Sequence, residues 1–461
     1  MKRLLATGLL LVSGLASAQG VTLPEPQIVA LENGATFIVH EKRDVPLVGI
    51  SAIVRGGAVT DPEGKAGLAS LLASMLEKGA GERDAAAFAE TVDAAGATLS
   101  TRVGLESITI SGEFLSKDVG LAVELLTDML RAPALDRSEF VKLRDRQIDL
   151  ISAAKDTNLP GLLPLYGAAW LFADHPYGTA VDGDETSLAN IAHRDLKGFY
   201  EDFVGADRLV ISVVGDIDAP EIITALTEAF ADWRPAAQPL PDVPAAEPQS
   251  GRRVLLIDKP GATQTYFWLG NVGVARDFAQ RAELDIANTL FGGRFTSLLV
   301  DEMRTKAGLT YSARSSLSRP TQPGSFAIVS FTKTDTTIVA IDLALDLLEH
   351  MREEGFSEEL VTSGKNYILG QFAPRLETSS QLAGQFSGLQ AAGLDASYIN
   401  DYGAAIAGAA GEDIQSVITS VYPAADDLVF AIIGDAELIR NDIAKYGPVT
   451  EMAITEPRFT P

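Results

Sequence analysis

The sequence predicts an α+β protein made of two similar sheet-plus-helices units, and three observations lead there. Strand-like and helical patterns alternate from Gln27 to Ala154. A proline-dense stretch from Arg234 to Gly251, with Pro235, Pro239, Pro241, Pro244 and Pro248, then reads as a stiff connector. Beyond it the pattern restarts. Asp427 to Asp435 (DLVFAIIGD) repeats Arg208 to Asp216 (RLVISVVGD), with Gly434 standing 219 residues after Gly215. Ser297-Leu298-Leu299 likewise repeats Ser70-Leu71-Leu72, 227 residues on. Two similar offsets in the same order predict duplication of a unit of roughly 220 residues. The length of 461 residues agrees, being too great for one ordinary core.

Met1 to Ala18 reads as a secretory signal peptide. Lys2 and Arg3 form its basic start, Leu4 to Leu15 its apolar run, and Ala16-Ser17-Ala18 a cleavage site before Gln19. The expected divisions are therefore residues 1–18 (signal), 19–233 (first unit), 234–251 (linker) and 252–461 (second unit). A periplasmic location follows as an expectation. In the first unit, Gln27 to Val29 and Thr36 to His40 flank Asn33-Gly34, a hairpin signal. Leu47 to Val54 is a third strand. Helical patterns cover Leu68 to Leu76, Ala85 to Ala95, Lys117 to Arg131 and Arg137 to Ala154, with strands at Thr98 to Thr101 and Ser107 to Phe114. His175-Pro176-Tyr177-Gly178 reads as a turn. In the second unit, Val254 to Ile257 and Thr265 to Gly270 open another sheet.

Composition excludes several classes of function. Hydrophobic residues make up 46% and charged residues 21%, a globular balance. A net charge of −25 argues against nucleic acid and anionic membrane surfaces as partners. There is no cysteine, so disulfide and thiol chemistry are out. The four histidines, His40, His175, His193 and His350, never share a helical turn, and a structural role is the better reading for each. Neither Ser70 nor Ser74 sits in a nucleophile elbow, which argues against a serine hydrolase.

Two stretches carry the remaining information. In Gly64 to Gly79, Leu68, Leu71, Leu72, Met75 and Leu76 form one buried helical stripe, and Ser70, Ala73 and Ser74 share the face beside it. Without further context, small residues there mean close packing. In Leu290 to Ser312, Gly292-Gly293 allow a tight entry and a Ser or Thr can cap a helix. Leu298, Leu299 and Met303 form the stripe of that helix, Gly308 ends it and Tyr311 opens a strand. Arg304 and Tyr311, seven residues apart, mean nothing alone. They read equally as a surface helix residue and a half-buried strand residue.

The first stretch resembles the zinc-binding helix of the insulinase-like (M16) metallopeptidases, with its pattern G-[IL]-A-H-x-x-E-H-M-L-x-K-G. Laid on this chain, the two His and the general-base Glu fall on Ser70, Ala73 and Ser74, and the family's distal Glu falls near Ile151. Hydroxyls are poor zinc ligands, and neither Ala nor Ile can bind zinc or move a proton. The second stretch is similar to the family's L-R-x-x-x-G-L-x-Y segment, with Met303 in place of Leu. HPYG and its surroundings resemble a further family stretch.

The resemblance implies two homologous domains facing across a chamber, with the metal centre emptied and Arg304 and Tyr311 kept. In the two-chain enzymes of this kind, one subunit carries zinc and the other the Arg/Tyr pair. It therefore implies a noncatalytic subunit that binds no cofactor itself, with zinc in an HxxEH-bearing M16 partner of a heterodimer acting on peptides. Arg304 would hold the substrate backbone and Tyr311 would support the transition state. The alternative is a peptide-binding or scaffold protein that keeps the fold without a proteolytic role.

Overall fold

The structure is a computed structural model describing residues 22–461, so the expected signal peptide, Met1 to Ala18, lies outside the described residues. Two six-stranded sheets organise the chain. The first takes β1 (Gln27–Ala30), β2 (Thr36–Glu41) and β3 (Leu47–Arg55), bypasses the two-residue pair β4 (Gly79–Ala80) and β5 (Arg83–Asp84), and adds β6 (Thr98–Val103), β7 (Ser107–Leu115) and β8 (Leu209–Gly215). Its order is β1-β2-β8-β3-β7-β6. The second contains β9 (Arg253–Asp258), β10 (Gln264–Val272), β11 (Ala313–Leu317), β12 (Ser325–Lys333), β13 (Val429–Gly434) and β14 (Val449–Ala453), in the order β11-β12-β10-β13-β9-β14.

The two orders are the same fold written twice. β2 pairs parallel with β8 as β9 does with β13, and β3 and β10 each run antiparallel to their neighbours on both sides. Only one edge differs. β1 reaches β2 through a hairpin, whereas β14 arrives after β13 and pairs parallel with β9. β8 and β13 occupy equivalent central places, so the 219-residue repeat is real. The 227-residue repeat is not. Between β3 and β6 the chain makes the helices Leu68–Leu76 and then Ala85–Ala94, and between β10 and β11 it makes Arg281–Asn288 and then Val300–Lys306. By chain order Ser70 belongs with Arg281–Asn288, and the segment after Ser297 takes the place of Ala85–Ala94. The shared Ser-Leu-Leu reflects a common apolar helix pattern.

Each central strand alternates its side chains between two cores, the period-two geometry of a sheet covered on both faces. In β10 and β13, Phe267, Leu269, Phe430 and Ile432 meet the second unit's own helices. Trp268, Ala431 and Ile433 meet the helix Leu159–Phe172, which comes from the first unit. The exchange is mutual. The helix Ser379–Ala391 of the second unit lies on the first sheet, where Leu382, Ala383, Phe386 and Leu389 pack against Ile38, Val210 and Val214. Glycines allow both approaches: a Cβ on Gly49 would stand 2.4 Å from the Ser380 backbone nitrogen, and one on Gly167 2.5 Å from the Trp268 ring. The units are thus joined by two crossed helices as well as by the linker, in which residues 234–251 form neither helix nor strand.

Candidate functional site

The helix Leu68–Leu76 starts at Gly67, whose φ of 93° few other residues would adopt. The Asp61 carboxylate accepts from the Gly67 and Ala69 N–H groups, at 2.8 Å each, and closes that end. Burial pushes the Asp61 carboxyl up to about 7, against the downward pull of those N–H groups. The stripe Leu68, Leu71, Leu72, Met75 and Leu76 is buried as the spacing predicts. On the neighbouring face, Ser70 donates its hydroxyl to Asp182 at 2.6 Å. Ala73 is buried and Ser74 half-buried. Ile151, 7% exposed, sits in the same core on the helix Arg137–Thr157, which packs on Leu68–Leu76.

The four positions named from sequence are therefore gathered around one pair of packed helices, and they carry hydroxyls and hydrocarbon. Among the described residues, no group of three His, Cys, Asp or Glu could hold a metal ion. The donor set does not fit zinc. The same helix is tied to the sheet edge. Thr101 of β6 donates its hydroxyl to the Ala73 carbonyl at 3.0 Å, and both its N–H and its hydroxyl to Glu77, at 2.5 and 2.7 Å. β6 pairs only with β7, so its outer side is a free edge.

The second candidate stretch is built differently from the expected single helix. Thr289–Gly293 and Val300–Lys306 are π-helical turns, the latter closed by an Ala307 N–H donating to the Glu302 carbonyl at 2.9 Å. No side-chain cap closes either start, and the Ser297 hydroxyl, 1% exposed, finds no partner among the described residues. Leu299 and Met303 are buried, Gly308 takes a φ of 64°, and Leu309 donates back to the Met303 carbonyl at 2.9 Å. The strand β11 begins two residues after Tyr311.

Tyr311 is not half-buried but 73% exposed. Its flanks are pinned. The Ser312 carbonyl accepts from Thr310 and from Ser330, both at 2.9 Å. The Arg304 guanidinium carbon lies 4.5 Å from the Tyr311 ring centroid and 4.7 Å from that of Phe295, itself 71% exposed. Among the described residues no carboxylate pairs with Arg304. A cation–π contact takes up no N–H donor, so the guanidinium keeps its hydrogen-bonding capacity for a carbonyl or carboxylate. The structure brings Arg304 and Tyr311 together, and it places neither in contact with Ser70, Ala73, Ser74 or Ile151.

Phe295 was not singled out from sequence, since a lone aromatic in a helical stretch usually reads as core. Three of the four histidines are placed structurally, and His350 is exposed. His175 accepts from the Tyr177 N–H at 3.1 Å and meets the Pro244 carbonyl at 2.9 Å, His193 meets the Leu135 carbonyl at 2.6 Å, and His40 packs edge-on to Phe386.

This geometry defines a two-unit α+β protein whose metallopeptidase-type helix carries no metal ligands. Residues 37–178 match the insulinase (peptidase family M16) profile, and residues 190–368 match the peptidase M16 inactive domain. The chain belongs to the peptidase M16 family, as a noncatalytic member. An uncharacterized zinc protease of Mycobacterium tuberculosis is 25% identical over 360 residues, covering 77% of this chain and 81% of the relative. The non-peptidase homolog YmxG of Helicobacter pylori is 25% identical over 346 residues, covering 74% and 79%. Among solved structures, a peptidase M16 inactive domain from Pseudomonas fluorescens superposes with a TM-score of 0.82 at 22% identity, over 89% of this chain and 97% of that one. A protease from Helicobacter pylori gives 0.84 at 19%, over 89% and 99%.

Proposed function

We propose that this chain is the substrate-gripping, noncatalytic subunit of a periplasmic heterodimeric M16 zinc peptidase acting on peptides. The observation that carries the reading is the Arg304–Tyr311 pair: a half-buried guanidinium on an exposed ring, with no acidic partner among the described residues, beside a unit whose own metal positions hold Ser70, Ala73, Ser74 and Ile151. A side chain that served only the fold would be packed or ion-paired. In the complex, Arg304 would bond the peptide backbone. The Tyr311 hydroxyl would donate to the oxygen that gains charge as the scissile carbonyl is attacked, an interaction stronger in the transition state than in the ground state.

Zinc, its bound water and the general base would come from an HxxEH-bearing partner. β6 and β11 are the edge strands at which an extended peptide would add, although the Thr101 N–H of β6 is already held by Glu77, and β11 starts two residues from Tyr311. No described helix is long and apolar enough to cross a membrane. The test is native co-purification of the tagged protein from its own cells. A stoichiometric second chain with an intact H-x-x-E-H helix supports the reading, and recovery of this chain alone or only with itself overturns it.

A second reading is a peptide-binding or scaffold protein with the same fold and no proteolytic role. The similarity to a relative named a non-peptidase homolog favours it. It expects Tyr311→Phe to leave every activity unchanged.

A further inference from the structure

The middle of the β6 edge is occupied by a side chain of this same protein. Glu77 directly follows the helix Leu68–Leu76, and its carboxylate accepts the Thr101 N–H at 2.5 Å and the Thr101 hydroxyl at 2.7 Å. In an antiparallel pair each residue turns its N–H and its carbonyl to one side, and alternate residues turn to opposite sides. Thr101 gives its N–H to Glu77, so it faces away from β7, and Leu99 and Val103 face away with it. Those three residues are the outward rungs of β6, and Thr101 is the central one. Glu77 and Thr101 are both half-buried, so the rung lies within reach of solvent. A carboxylate is unfavourable at a helix C-terminus, so Glu77 does not serve its own helix.

The second sheet covers the same rung differently. The register carries Thr101 through Ile110 and Ala52 to Ile211, and Ser315 through Ile328 and Leu269 to Phe430, which stands 219 residues after Ile211. Ser315 is therefore the counterpart of Thr101 on β11. Its hydroxyl donates to the Asn288 side-chain oxygen at 2.7 Å, much as the Thr101 hydroxyl reaches the Ala73 carbonyl. In place of a carboxylate, the backbone lies on this rung: a Cβ on Gly292 would stand 2.2 Å from the Ser315 nitrogen, and Ser315 is only 6% exposed. A side chain swings away by rotating about its own bonds, whereas a backbone segment moves only with its neighbours. Of the two edges, β6 is the one whose central rung can be uncovered.

We infer that Glu77 is an autoinhibitory plug on β6, and that an extended peptide joins this edge by taking its place at the Thr101 N–H. The inference rests on the peptide-gripping reading, and it names the edge used and the residue that regulates it. A peptide carbonyl displaces the carboxylate and accepts the Thr101 N–H, while Leu99 and Val103 supply the flanking rungs. The exchange replaces a charged acceptor by a neutral one, so the natural chain binds a peptide more weakly than its bare edge would.

The experiment is a fluorescence-anisotropy titration of the full chain with fluorescein-labelled Lys-Thr-Val-Thr-Val-Thr-Lys. Glu77→Ala should bind this peptide about tenfold more tightly than the natural chain, the scale of one hydrogen bond to a charged group. Glu77→Gln keeps the size and weakens the acceptor, so it should show a smaller gain, and it decides where Glu77→Ala fails to fold. The same peptide N-methylated on its central residues should show no gain, because methylated nitrogens block strand pairing. Phe386→Ala, which loosens the first sheet away from β6, should bind as the natural chain does. Unchanged affinity in both Glu77 variants overturns the inference. So does a gain that survives N-methylation, or an equal gain in Phe386→Ala. Binding is read on this chain alone. A gain in Glu77→Ala with no zinc-bearing partner recruited would therefore sink the peptidase reading and leave the plug standing, and a recruited partner with no gain would do the reverse.

Discussion

The Arg304 guanidinium stands 4.5 Å from the centre of the Tyr311 ring, on a segment whose neighbouring carbonyl, at Ser312, is held by two hydroxyls. That contact orients both side chains without using their hydrogen-bonding groups. Stacking of this exposed kind contributes only about 0.5–1 kcal/mol. Its value lies in orientation, because a pre-set donor loses less entropy on binding than a free one.

Tyr311→Phe keeps the ring and removes the hydroxyl. Assayed in the complex, it should lower kcat by roughly 10²–10³ with little change in KM, the scale for one lost oxyanion donor. Arg304→Gln should act chiefly on KM, since it removes binding shared by ground and transition states. An unchanged kcat in Tyr311→Phe would contradict the role given to the hydroxyl.

The emptied metal positions make a constructive prediction. Ser70→His, Ala73→Glu, Ser74→His and Ile151→Glu together return acidic and imidazole donors to two helices that already pack on each other. The fourfold variant should bind about one equivalent of zinc, measured by metal analysis after dialysis, and the natural chain should bind none. Because Ala73 and Ile151 are buried, the metal-free variant should melt lower and recover when zinc is added. One equivalent of zinc on the natural chain would refute the expectation.

The crossed helices should govern the stability of both units. Phe386, 5% exposed, fills the interface over Ile38, Val210 and Val214, so Phe386→Ala should cost roughly 3–5 kcal/mol in urea unfolding. Gly49→Val should also destabilise, because its new Cβ meets the Ser380 backbone and not a flexible side-chain tip. A change below about 1 kcal/mol in both would show that Ser379–Ala391 is dispensable for the first sheet.

Asp61 gives a pH dependence with a definite sign. Burial raises its folded-state pKa to about 7, above the ordinary value of about 3.9. Between those limits the folded chain holds more protons than the unfolded one. Its contribution is full below about pH 4 and is lost as pH rises through about 7. Other carboxylates, among them Asp195 and Glu451, are shifted down and act the opposite way in more acidic solution. The clean measurement is the difference in Tm between the natural chain and Asp61→Asn. That difference should move in favour of the variant from pH 4.5 to 7.5, and a flat difference would count against the assignment.

Much of the fold was legible because its strands are strongly patterned. The hairpin at Asn33-Gly34, the run Leu47 to Val54 and the paired β8 and β13 sequences stand where spacing placed them. The two exchanged helices were not read. Leu159–Phe172 is apolar nearly all round and contains Pro164, so it lacks the one-sided stripe that marks a surface helix. Ser379–Ala391 is rich in Ser, Gly and Ala, and its partner is a sheet more than 160 residues away in sequence. The candidate site was legible as residue types, Arg304 and Tyr311, but not as a cluster. Phe295 joins it because the turn between the two π-helical segments brings that ring to Arg304, and no periodic pattern encodes such a turn.

The central claim is that peptide cleavage needs both this chain and a zinc-bearing one. The most direct measurement is hydrolysis of an unfolded peptide by the co-purified complex, by each chain alone, and by the two recombined. The account predicts activity only in the complex and in the recombined sample, abolished by a zinc chelator. Full activity of the zinc-bearing chain by itself, unaltered when this chain is added, would contradict it.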